Sequence, residues 1–260
     1  MPDCQIPTSS NPVDKVAGLV FLLELKRIPV YDAGQSEEDA WTELMDVTDD
    51  KLRALFLFWY PKPNGNGSWR PSWKQLMTET SPELPSVFDY RRNHDAHVCW
   101  TTEDGDSYDG PRMDACLVQG LADEAGKSRS GKLTVQGLSG VEHTFRIVAN
   151  HAYPIPDGQY TLLGTFYKRS AELTDWCWVI GKIEAHKGKF RKVSVVEMED
   201  DREGERIRTL NLYKSTKTFF FDRSSHVHPS PPLPSPFQFL WSLYAALPLL
   251  LRLVTKMFLL

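Results

Sequence analysis

Cysteine is scarce in this chain and nowhere paired: Cys4, Cys99, Cys116 and Cys177 stand without a CxxC spacing, which excludes a zinc ribbon and gives no sign of a disulfide framework. Phosphate-cradling glycine loops of the GxGxxG and GxxxxGK[ST] kinds are absent, so the common nucleotide-binding signatures drop out. Gly137-Leu138-Ser139-Gly140 closes one residue too early for a GxSxG elbow and reads instead as a hairpin turn. Positive charge is not in excess, with 30 basic against 34 acidic side chains and a net charge of −4, which argues against a nucleic-acid partner. Asp3 stands where a secretory leader would carry a cation, and the first apolar run, from Gly18 to Leu23, stops at Glu24. A cytoplasmic protein with reduced thiols and no cofactor is the expectation.

What the chain does contain is enough apolar sequence, 41% of 260 residues, for a folded core. Residues 14–25 open with Asp14 as a candidate N-cap and continue apolar, as a buried helix would. Ser36 and Asp39 have capping-box spacing ahead of a second helix over Glu37 to Val47, whose Ala40, Trp41, Leu44 and Met45 recur at helical steps. Leu52 to Tyr60 is too short and too uniformly apolar to assign to helix or strand.

From Ala115 onward, seven short apolar runs separated by glycine or charge predict an antiparallel sheet closed into a sandwich or barrel. Hairpins are expected around Ser139-Gly140 and His186-Lys187-Gly188, and a short capped helix over Asp200 to Leu212. Trp176, Trp178 and Ile180 alternate with equally apolar neighbours, which predicts a central strand. The fold class is therefore α+β: short N-terminal helices, an antiparallel β sandwich or barrel of about seven strands, and a C-terminal amphipathic, apolar helix.

The expected divisions are 1–78, helical with a Trp-rich loop; 79–114, an irregular connection punctuated by Pro82, Pro85, Gly105, Gly110 and Pro111; 115–221, the β domain; 222–236, a Pro/Ser-rich linker; and 237–260, an apolar tail. As a helix that tail would extend about 36 Å, long enough to cross a bilayer. Its polar residues, Arg252 and Lys256 among them, gather on one side, with Phe237 and Trp241 among its aromatic anchors, so lying in the membrane interface competes with spanning it. A third reading is translated non-coding sequence.

Three groups are candidates for chemistry or binding. His94, His97 and Cys99 form the densest set of potential metal ligands, with Asp114 or Cys116 available to complete a tetrahedral site, but a second paired unit of the usual spacing is missing. Asp104 to Gly110 resembles a calcium loop only superficially, since Asp109 stands where glycine is required, and reads as an acidic turn. Trp69 and Trp73 flank Arg70 in a loop, an arrangement that suits a partner anchor or loop-onto-core packing.

Several short phrases carry a family resemblance: Asp14-Lys15-Val16-Ala17-Gly18-Leu19, Ile28-Pro29-Val30-Tyr31, Glu38-Asp39-Ala40-Trp41, Trp69-Arg70-Pro71-Ser72-Trp73, Trp176-Cys177-Trp178-Val179 and Phe190-Arg191-Lys192-Val193. With these the chain resembles, over about 14–221, the region downstream of the HET domain in fungal heterokaryon-incompatibility proteins, especially those of mushroom-forming fungi. The resemblance implies an accessory, non-catalytic region of a self/non-self recognition protein that acts through a protein partner. It carries over no catalytic residue. Two other functions remain open on the residues: a metal-dependent hydrolase using His94, His97 and Cys99, and a tail-anchored membrane scaffold.

Overall fold

A computed structural model describes residues 13–23, 25, 27, 29–32, 34–61, 69–78, 98–101, 105–123, 128–168 and 174–220. Among them run five helices, α1 (Val13–Leu22), α2 (Glu37–Val47), α3 (Asp50–Trp59), α4 (Trp73–Thr78) and α5 (Asp201–Thr209). The strands are β1 (Val98–Thr101), β2 (Gly105–Gln119), β3 (Arg129–Gln136), β4 (Glu142–Ala149), β5 (Gly158–Lys168), β6 (Thr174–Glu184), β7 (Lys189–Met198) and β8 (Lys214–Phe219). The chain divides into two compact units, one of residues 1–49, 72–87 and 224–260 and the other of 50–71 and 88–223.

In the first unit α1 packs on α2, and Lys15 of α1 meets Glu37 of α2 at 3.3 Å. Asp14 lies inside the first turn of α1 and is not its cap. At α2 the N-cap half of the expected capping box is present: the Ser36 hydroxyl accepts from the Asp39 amide at 3.1 Å, and the Asp39 carboxylate accepts that hydroxyl at 2.7 Å. The four predicted apolar positions of α2, Ala40, Trp41, Leu44 and Met45, are buried. A full reciprocal box starts α4, where the Gln75 amide donates to Ser72 Oγ and the Ser72 amide donates to Gln75 Oε1. Glu38 reaches from α2 to accept the Trp73 amide at 3.1 Å, satisfying another orphan donor of α4.

The second unit is built on an eight-stranded antiparallel sheet. β3, β4, β7, β6 and β5 follow one another, and β2 pairs both β3 and β5, so six strands form a ring. The ring is thinnest between β4 and β7, which share two residue pairs. β2 is long enough to serve both partners and then continue: its first half pairs β1 on one edge and β8 on the other. Inside the ring sit Phe145, Leu162, Trp178, Ile180 and Val196, with Ile207 of α5 joining them. Both hairpins turn where expected, and β6 lies centrally between β5 and β7.

Two bulges re-aim side chains. Between Met113 and Cys116 the register of β2 shifts, with Ala115 in the left-handed region at φ 54°, so that Met113 and Cys116, three apart, both face the core. In β7, Ile180 pairs Ser194 while Gly181 pairs Lys192, leaving Val193 as the extra residue. The bulge turns Lys192 to the outer face that carries Cys177 and Val179, although plain alternation from Val196 would have sent it into the barrel.

The structure corrects the expectation of an irregular connection over 79–114, because 98–101 and 105–114 are strand. Gly110 and Pro111 read as chain breakers, yet Gly110 leaves the space that the Tyr108 ring occupies: a Cβ there would lie 2.3 Å from the Tyr108 hydroxyl oxygen. Of Leu52 to Tyr60, all but Tyr60 falls in α3, buried from Leu52 to Phe58, which is why no polar face marked its period. Leu210, expected among the apolar residues of the last helix, lies just past α5 and is exposed. The linker 222–236 and the tail with Phe237, Trp241, Arg252 and Lys256 lie outside the described residues. Among the described residues no helix is long and apolar enough to cross a membrane.

Gly181 is a sharp test of this packing, since a Cβ there would stand 2.2 Å from the Phe190 ring and 2.5 Å from the Arg191 carbonyl oxygen. Gly181→Ala should cost about 1–3 kcal/mol in urea unfolding, whereas Leu138→Ala, at a fully exposed turn, should stay within about 0.5 kcal/mol.

Candidate functional site

The densest polar constellation of the second unit centres on Asp106, second residue of β2 and 0% exposed. Arg53 of α3 donates to its Oδ1 at 3.2 Å. Its Oδ2 accepts from Trp69 Nε1 at 3.0 Å and from Arg70 through Nε at 3.2 Å and Nη2 at 2.7 Å. The Arg70 guanidinium also lies 5.6 Å from the centre of the Trp69 ring, whose other neighbour is Phe220. Both carboxylate oxygens are thus engaged by charge-assisted donors, and this carboxylate is poorly placed to act as a base.

The structure therefore corrects the reading of Trp69, Arg70 and Trp73 as a partner anchor. Trp69 and Arg70 are buried against Asp106, and Trp73 belongs to the other unit, where its ring packs 5.9 Å from Trp41. It borders a groove of about 400 Å³ between α1, α2 and α4. The acids of that groove are already engaged, Glu37 by Lys15 and Glu38 by the start of α4. The acidic turn expected over 104–110 is likewise corrected, since Asp106 is buried in strand. Two guanidinium groups from far along the chain make that burial tolerable.

A second constellation holds the C-terminus of α3. Lys192 Nζ donates to the carbonyls of Leu57 at 2.6 Å and Phe56 at 3.3 Å, and Cys177 Sγ donates to that of Phe58 at 3.1 Å. These carbonyls belong to the last turn of α3, where backbone donors run out and positive charge is attracted; that of Phe56 also accepts the Tyr60 amide at 3.3 Å. Burial pushes the Lys192 ammonium down to about 7, with Cys177 opposing the shift; either protonation state still has N–H groups to donate.

A third lies at the end of the barrel beyond β4. His151 Nε2 is 3.0 Å from the Val195 carbonyl and 3.1 Å from Ser194 Oγ. The carbonyl requires Nε2 to carry a proton, so the nitrogen facing Ser194 is a donor and not the acceptor a nucleophilic serine needs. Burial holds the His151 pKa below its ordinary value against the Val195 bond, and the charges of Arg129 and Lys192 add to that. Arg129 closes the same end by donating to the carbonyls of Leu121, Asp123, His151 and Tyr153.

Of the expected metal ligands, His94 and His97 lie outside the described residues. Cys99 is exposed on β1, with Sγ 3.6 Å from Asp50 Oδ2, and its pKa is raised by desolvation and then by that carboxylate. Asp114 is held by Arg112 at 2.7 Å and Lys214 at 3.0 Å, while Cys116 is buried in the barrel with its thiol pushed up to about 12 by burial. Among the described residues no three His, Cys, Asp or Glu side chains come together in a way that could hold a metal ion. No family model, curated protein or solved structure matches the chain.

Asp106→Asn would leave two buried guanidinium groups beside a neutral amide and should cost about 3–5 kcal/mol in chemical denaturation. Lys192 produces a pH signature. Between about 7 and 10.5 the unfolded chain binds a proton that the folded chain has released, so stability rises with pH through that window. The melting temperature should climb more steeply from pH 6.5 to 8.5 in the native protein than in Lys192→Met.

Proposed function

We propose that the chain is a non-catalytic interaction module, the accessory region of a self/non-self recognition protein of the heterokaryon-incompatibility kind. It works in the cytoplasm, with 237–260 bringing it to a membrane. One observation supports this reading: among the described residues of the second unit, each polar constellation is turned inward and committed to structural partners. Asp106 is saturated by Arg53, Trp69 and Arg70, Lys192 holds the end of α3, and the imidazole that faces Ser194 is committed to a backbone carbonyl. Such an arrangement fixes a scaffold and leaves the outer surface to meet partners. The family resemblance of the sequence supports the same reading.

Expressed as the full chain in a mushroom-forming host, the protein is expected to change the outcome of fusion with a genetically different strain. That effect should survive His94→Ala/His97→Ala and Cys99→Ser, each first shown to unfold at the native temperature. Loss of the effect in these folded variants would replace the reading with the metal-dependent hydrolase. Indifference of the host to the native chain would overturn the recognition role.

A further inference from the structure

β4 and β7 close the ring through two residue pairs, Ile147 with Met198 and Val148 with Glu197. Continued at the same register, the ladder would set Asn150 opposite Val195 and His151 opposite Ser194. The main chain leaves β4 after Ala149 instead, and side chains take over the seam. Asn150 Nδ2 donates to Glu197 at 2.9 Å. His151, 8% exposed, places Nε2 3.0 Å from the Val195 carbonyl and 3.1 Å from Ser194 Oγ, so a side chain, in place of a strand amide, donates to β7. The ring can fill this place only while neutral. With the proton on Nε2, Nδ1 is buried without a hydrogen-bond partner among the described residues, and a second proton there would add a charge with no acceptor. The surroundings add like charge: Arg129 of β3 donates Nη2 to the His151 carbonyl at 3.0 Å, and Lys192 of β7 acts on the ring from its own strand. Of the carboxylates at this end, Glu197 is held by Asn150 and Asp123 acts on Arg129, while Tyr153 contributes an aromatic ring 5.8 Å away. Burial keeps the His151 pKa below its ordinary value against the Val195 carbonyl, and Arg129 and Lys192 lower it further against the Tyr153 backbone.

We propose that His151 is an acid-sensitive latch on the β4–β7 seam: the neutral ring closes it, and the protonated ring leaves and uncovers the β7 edge at Ser194 and Val195. The sign follows from linkage. Released into water, the imidazole binds a proton at about pH 6.5, and in the closed seam it binds one less readily. Opening therefore gains as pH falls below about 6.5, approaching tenfold per pH unit until the closed form itself protonates. The rest of the barrel is held by bonds that do not titrate in this range. Arg129 keeps the carbonyls of Leu121, His151 and Tyr153, and β6 retains its ladders to β5 and β7. Opening is confined to the seam, whose two remaining backbone pairs are the fewest of any joint in the ring.

Hydrogen–deuterium exchange of the full chain from about pH 7.5 to about pH 5, corrected for the intrinsic pH dependence of amide exchange, tests the latch. Below about pH 6.5, amides of 145–153 and 193–198 should speed up by as much as about tenfold per pH unit, and those of 159–167 and 177–182 much less. His151→Gln, whose amide nitrogen can reach the Val195 carbonyl but takes up no proton, should abolish the acceleration. Acceleration that persists in this variant would belong to another group, Lys192 included, and would overturn the proposal. A seam indifferent to pH, or a barrel that loosens as a whole, would overturn it too. Should His151→Gln fail to fold, exchange of the imidazole C2 hydrogens in the native chain, read by mass spectrometry peptide by peptide, decides. His151 should exchange more slowly than the exposed His186 and with a lower pH midpoint; equal rates and midpoints would sink the latch.

Discussion

A single buried carboxylate ties the second unit together. Asp106 on β2 gathers a guanidinium from α3 and a guanidinium and an indole from the loop after it. Taking such charges out of water costs several kcal/mol per ion, which their mutual attraction offsets only in good geometry. The consequence is less a gain in stability than a constraint on arrangement. Displacing a guanidinium would weaken the compensation of a buried charge, which favours one placement of α3, residues 69–70 and the start of β2 relative to one another.

The opposite end of α3 is fixed by different chemistry. Lys192 and Cys177 supply donors to its last carbonyls, and the side chains that do this come from two adjacent strands of the barrel. Lys192 can serve only because a bulge in β7 turns it outward. Close approach of aromatic rings to glycine backbone, Tyr108 at Gly110 and Phe190 at Gly181, completes a unit in which strand irregularities position the helix. Among the described residues the most exposed large apolar side chains, Leu138, Val141 and Leu210, lie outside this packing on two loops.

Legibility in the sequence followed the range of the interactions. The N-cap half of the capping box at Ser36 and Asp39, the apolar face of α2, the two hairpins and the central place of β6 all depend on residues within a few positions of one another, and each was readable. The first half of β2 was not. Glycine, proline and acidic residues there signal a turn in isolation, and become a strand only because β1 and β8 supply hydrogen-bonding partners on its two edges. For the same reason Trp69, Arg70 and Trp73, which look like one exposed motif, separate into two units and are buried.

By itself the sequence determined the α+β class, the antiparallel pairing of the later strands and the start of α2, because hydrophobic period and turn chemistry act locally. Tertiary structure alone decided that β2 closes the ring, that Lys192 faces α3, and that Asp106 and Arg53, separated by 53 positions, form an ion pair. Burial and partnership of a charge depend on what the folded chain brings beside it, and no local pattern of residues carries that information.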